Sequence, residues 1–143
     1  MATNTQRSQG IKQKMKQKTL SSYIKALDKV FSEYIRQRDS NHAGIGKCIT
    51  CNWHGHWKEA DCGHFVSRAE KSVRWDEKNC ALQCKRCNGF RGGEQFLFAK
   101  EIDKKYGNGT AEKLQLKRHQ TVKLSTFELQ EMINHYKTLL KSK

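Results

Sequence analysis

Two Cys-x-x-Cys pairs, Cys48-Ile49-Thr50-Cys51 and Cys84-Lys85-Arg86-Cys87, constrain this chain more than any other feature. Each pair can form a knuckle whose thiolates converge on one ion, and together they supply the four soft ligands of a closed tetrahedral zinc site. Such a site brings both ends of the intervening insert, Asn52 to Gln83, to one point. A redox pair of the thioredoxin type would need a surrounding βαβ pattern, and neither motif has one. Cys62 and Cys80 lack ligand spacing and read as small buried side chains.

A metal staple also suits the composition. Only 36% of the residues are hydrophobic, so packing alone supplies a small core for the length. No apolar run approaches the roughly 18 residues needed to span a bilayer. Met1 to Gly10 has no signal-peptide core, so the expectation is a cytoplasmic protein, where paired cysteines hold metal rather than form disulfides. With 28 Lys plus Arg against 14 Asp plus Glu, the chain carries a formal charge of +14, the footprint of a polyanion binder.

Residues 1–18 contain Arg7, Lys12, Lys14, Lys16 and Lys18 and no acidic residue, and read as a disordered basic arm suited to tracking phosphates. Residues 19–143 read as a single domain. Leu20, Tyr23, Ile24, Leu27, Val30, Phe31, Tyr34 and Ile35 recur at steps of three and four, which predicts a helix over 19–38. Asp39 to Lys47 reads as a loop. Between Cys48 and Asn88, Trp53, Trp57, Phe65 and Val66 suggest two or three short strands. A second helix is expected from Glu94 to Tyr106, stopping at Gly107-Asn108-Gly109, with a shorter one after Thr110. Ser125-x-x-Glu128 is a capping-box signature ahead of the stripe Leu129, Met132, Ile133, Tyr136, Leu139 and Leu140, so the C-terminal region 110–143 is helical. The class is α+β.

Gly63-His64-Phe65, the run Arg74-Trp75-Asp76-x-x-Asn79 and Gln83-Cys84-x-x-Cys87-Asn88 resemble the NinG (Rap) recombination proteins of lambdoid phages, within the broader HNH, or ββα-metal, nuclease superfamily. The resemblance covers residues 45–107. It implies a small zinc-braced ββα-metal core flanked by the N- and C-terminal helices, and a phage protein working in the bacterial host cytoplasm. It also implies a metal-dependent endonuclease that cleaves branched DNA such as Holliday junctions, leaving 5′-phosphate and 3′-hydroxyl ends. In that mapping His64 is the general base, Asn79 orients the base or ties the hairpin loop in place, and Asn88 is a ligand of a catalytic Mg2+ or Mn2+.

One position departs from the superfamily pattern, which commonly has Asp before the histidine where this chain has Gly63. On an extended strand Asp61 faces the same way, roughly 6 to 7 Å along, and is the expected substitute ligand. Asp76 and Glu70 are weaker candidates. Arg68, Arg74, Lys85, Arg86 and Arg91 cluster around the site in sequence and are expected to contact phosphate. His54 and His56, close behind the first knuckle, read as solvent-facing strand residues ahead of the alternatives of a zinc ligand or a phosphate contact, His119 and His135 carry no assigned role, and the tryptophans read as packing. The partner implied is branched DNA and not a membrane. Symmetric nicking of a four-way junction would make a homodimer the natural unit, with the apolar stripes of the first and last helices either forming its interface or folding back on the core. The rival reading is a non-catalytic, zinc-stabilised DNA-binding accessory protein of recombination. An RNA-directed zinc protein fits the charge but not the motif order.

Overall fold

A computed structural model describes residues 18–143; the basic arm expected over 1–18 lies outside it except for Lys18. Helix α1 (Leu20–Arg38) starts where Thr19 Oγ1 accepts the Ser22 amide at 3.2 Å, and buries Leu27, Val30, Phe31 and Ile35. The last helix, α4 (Thr126–Lys141), opens with the expected capping box: Ser125 and Glu128 satisfy each other's amides at 3.1 and 2.7 Å. Its buried residues Leu129, Ile133 and Tyr136 pack on the α1 stripe, with Tyr136 edge-on to Phe31 at 5.1 Å. The two apolar stripes are thus buried against each other within one chain, and a homodimer would need another surface.

Between these helices lie two antiparallel hairpins. Strands β1 (Ile45–Lys47) and β2 (His54–His56) form the first, and β3 (Ala60–His64) and β4 (Cys80–Cys84) the second, with His64 opposite Cys80 and Asp61 opposite Gln83. β1 occupies the end of the stretch read as a loop. Trp57 falls in a 3-10 turn (Trp57–Glu59), and Phe65 and Val66 follow β3 rather than form a strand. β4 carries no alternation because all five of its residues are buried. Cys62 and Cys80 join the α1/α4 core on one face. Ala81 on the other joins Phe65, Val66, Val73, Phe98, Ile102, Ala111 and Leu114, a core completed by α2 (Gln95–Tyr106) and α3 (Thr110–Lys117). A strand covered on both sides loses the period-2 signal.

Arg38 and Asp39 lock the end of α1 to β4. Arg38 donates to the carbonyls of Glu77 and Cys80, both at 2.9 Å, while Asp39 accepts the Leu82 amide at 2.9 Å. Among the described residues, no helix is long and apolar enough to cross a membrane.

Candidate metal centre and cavity

The four paired cysteines meet. Cys48 comes from the end of β1, Cys51 from the β1–β2 turn, and Cys84 and Cys87 from the end of β4 and the turn behind it. Their four sulfur atoms all lie within 4.8 Å of one another. Cys51 Sγ and Cys84 Sγ are 3.6 Å apart, close to the roughly 3.8 Å edge of a tetrahedron with metal–sulfur bonds of about 2.3 Å. The amides of Trp53 and Cys87 donate to Cys51 and Cys84 sulfur at 3.4 Å, so the backbone also steadies the thiolates. Burial would raise the Cys48 thiol, but hydrogen bonds from the Cys84 backbone and from Thr50 outweigh it and bring it to about 7; burial pushes Cys87 up to about 12. The set could hold a structural metal ion joining the two hairpins. Half-buried Trp53 packs against it.

Behind the second knuckle the chain makes one π-type turn, Arg86–Phe90, which carries Asn88. Gly92 and Gly93, at φ of +60° and +86°, break the path before α2. Gln83 straps this bend: fully buried, it donates to Gly93 O at 2.8 Å and to Thr50 Oγ1 at 3.0 Å.

That strap explains Gly63. A Cβ at position 63 would fall against the Gln83 side chain, 2.9 Å from its Cβ and closer still to its amide oxygen. The strand therefore has no room for a carboxylate there. Asp61, on the same face of β3, has room, and its Oδ2 accepts from Asn88 Nδ2 at 3.0 Å. Its Oδ1 accepts from Lys85 Nζ at 2.9 Å.

His64 is largely buried beside a cavity of about 300 Å³, also lined by Asp28, Cys62, Arg68 and Asn88. Its Nε2 lies 2.9 Å from the Arg74 carbonyl. A carbonyl only accepts, so Nε2 carries the proton and the neutral ring keeps its lone pair on Nδ1. Burial lowers the His64 pKa below its ordinary value, against the opposing pull of the Arg74 and Cys62 carbonyls and the Asp28 carboxylate.

Asn79 does not touch His64 through its hydrogen bonds. Fully buried, it accepts from the Val66 amide at 2.8 Å and donates to Val66 O and Val73 O at 3.0 and 3.1 Å. Of the two roles expected of it, these bonds match tying the loop.

The expected phosphate contacts separate into two kinds. Arg68, Arg86 and Arg91 are exposed, with Arg91 lying 3.8 Å from the Glu94 carboxylate one turn on. Arg74 is engaged within the chain: its guanidinium makes a two-pronged ion pair with Asp28 on α1, with Nε at 3.0 Å from Oδ1, and donates to Arg68 O at 3.1 Å. Trp75 Nε1 shares the same carboxylate at 3.0 Å. Lys85 is exposed but paired with Asp61. Asp76 pairs with Lys117 and Glu70 with Arg118, so neither reaches the cavity through these contacts.

Asp28 was missed by sequence reasoning. The available signal was an acid inside an apolar stripe, between Ile24, Leu27 and Phe31 at helical spacing. The grouping of Cys62 and Cys80 with His64 was missed too, since it follows from the register of β3 on β4.

Comparison with curated proteins and with solved structures yields no match. The bacteriophage lambda NinG protein model matches residues 1–143, the whole sequence, and the chain belongs to that family.

Proposed function

We propose that this protein is a metal-dependent, structure-selective DNA endonuclease with an HNH-type core, cleaving branched recombination intermediates such as Holliday junctions. The observation that carries the reading is the direct bond between Asp61 and Asn88, 3.0 Å long, with Asn88 lining the cavity that His64 also lines. In this reading the four cysteines hold zinc, which fixes Cys87 and so the placement of Asn88 next to it.

Asp61 and Asn88 suit a hard cation. The carboxylate offers two oxygens, the Asn88 amide presents its own oxygen after half a turn, and both Asp61 oxygens already face N–H donors that a cation would displace. When bound, Mg2+ or Mn2+ would neutralise the charge developing on the scissile phosphate and the leaving oxygen. The protein's own part is proton transfer and positioning. His64, held neutral by burial and oriented by the Arg74 carbonyl, takes the proton of the attacking water at Nδ1. Arg68, Arg86 and Arg91 hold flanking phosphates. Arg74 acts on Asp28 and keeps its own carbonyl against His64.

One observation favours the rival, non-catalytic DNA-binding reading: Lys85 already neutralises Asp61. A cleavage assay on a synthetic four-way junction and a matched linear duplex, with Mg2+, Mn2+ or EDTA, separates the two. Metal-dependent nicking of the junction that His64→Ala abolishes, with junction binding kept, is the expected result. Tight junction binding without nicking under either metal would leave a zinc-braced binding module.

A further inference from the structure

We propose that Cys62, His64 and Cys80 form a second metal centre, selective for a thiophilic divalent ion such as Zn2+ or Co2+ and separate from the four-cysteine cluster. The two sulfur atoms and one ring nitrogen lie within 4.8 Å of one another, the spacing of donors around one ion. They converge because of strand register. His64 sits opposite Cys80, and Cys62, two residues back on β3, shares that face of the hairpin. None of the six cysteines is in a disulfide.

The donor chemistry sets the selectivity. Two thiolates and an imidazole are soft to borderline ligands that favour Zn2+, Co2+ or Cd2+ over Mg2+ and Mn2+. Binding releases two thiol protons, and two thiolate charges balance a divalent cation, so a neutral centre forms at this mostly covered position. Cys80 is buried, whereas Cys62 and His64 line the 300 Å³ cavity. An ion can therefore arrive through the cavity and keep its fourth position open toward it, as three-ligand zinc sites do. The Arg74 carbonyl, 2.9 Å from His64 Nε2 and 3.8 Å from Cys80 Sγ, holds both side chains in place.

The site has a consequence that rests on the function proposed above. A ring nitrogen bound to zinc has no lone pair for a water proton, so His64 is either ligand or base. Zinc at this centre would switch off Mg2+-supported cleavage while leaving the four-cysteine site intact.

The test uses the full chain, stripped of metal, kept reduced and titrated with Zn2+ and separately with Co2+. Wild type should take up about two equivalents, the second adding thiolate-to-cobalt absorption after the first is complete. Cys62→Ala/Cys80→Val should take up about one, with its far-UV circular dichroism unchanged. The single variant Cys62→Ala should weaken the second equivalent and keep the first, so the comparison survives if the double variant folds poorly. A wild type that stops at one equivalent overturns the centre, and so does a second equivalent that persists in both variants. In the cleavage assay, added zinc should inhibit wild type and spare the double variant; equal inhibition of both overturns the switch. Failure of every variant to cleave would count against the nuclease reading and leave the stoichiometry to decide the metal centre.

Discussion

Asn79 and Val66 close a two-way hydrogen-bonded ring, the asparagine amide accepting the Val66 N–H at 2.8 Å and donating to its carbonyl at 3.0 Å. A third bond, to Val73 O at 3.1 Å, ties both ends of the loop after β3 to the residue that precedes β4. Since Asn79 is fully buried, truncation leaves three backbone groups without their side-chain partner. Asn79→Ala should therefore cost about 3 kcal/mol or more of stability, each orphaned group adding about 1 to 3. His64→Ala should stay within about 1.5 kcal/mol of wild type while losing cleavage. Urea unfolding of the two variants checks this, and equal stability loss would remove the distinction between the loop tie and the base.

Gly63 should tolerate no side chain while Gln83 is present. Gly63→Ala is expected to cost about 1 to 3 kcal/mol through the forced contact with the Gln83 side chain. Paired with Gln83→Ala, the added cost should shrink, because the obstructing atoms are gone. A double-mutant cycle measures this; additive losses would mean that the crowding at Gly63 has another origin.

Asp28 holds Arg74 and the Trp75 indole at once. Asp28→Asn should lower stability by about 1 to 3 kcal/mol, less than a fully buried pair would cost because both side chains keep some solvent contact. Combining it with Arg74→Met should recover part of the loss. A thermal melt of the three variants that shows no coupling would argue that the pair is dispensable.

Metal removal should loosen the hairpins before the helices. The four-cysteine cluster joins β1 to β4, whereas α1 and α4 are held by their own apolar stripes. Chelation should lower the melting temperature reversibly, with zinc restoring it in a concentration-dependent way, since an ion bound by the native state stabilises it by mass action. Cys87→Ser should mimic the chelated state. A melting curve indifferent to chelator and zinc would rule out a structural ion.

The exposed arginines and the paired one should behave differently on DNA. Arg86→Ala and Arg91→Ala should each flatten the dependence of log Kd on log salt by about one phosphate contact. Arg74→Met should leave that slope unchanged, because its guanidinium is committed to Asp28. Binding isotherms across a salt series decide; a slope lowered by Arg74→Met would reopen its role in DNA contact.

What could be read from residue order was what depends on near neighbours. The α1 stripe, the Ser125–Glu128 capping box and both Cys-x-x-Cys knuckles are local patterns, fixed by helical period, cap chemistry and ligand spacing. The acid on the same strand face as Gly63 was likewise legible, since alternation along a strand is a local rule. The strand β4 was not, because burial on both faces erases its alternation, and neither was the π-type turn that carries Asn88.

The sequence by itself determined that the chain is a basic, metal-competent α+β protein with His64, Asp61 and Asn88 near two cysteine knuckles. Tertiary structure alone decided which charges are spent and which are free. Arg74 and Lys85 looked like Arg86 in sequence, yet the first two meet Asp28 and Asp61 while Arg86 faces solvent. It also decided that Cys62 and Cys80 share a face with His64, and that Gln83 lies across Gly63. These pairings join residues from separate strands and helices, and their energies depend on distance and burial, which exist only once the two hairpins are packed between the helices.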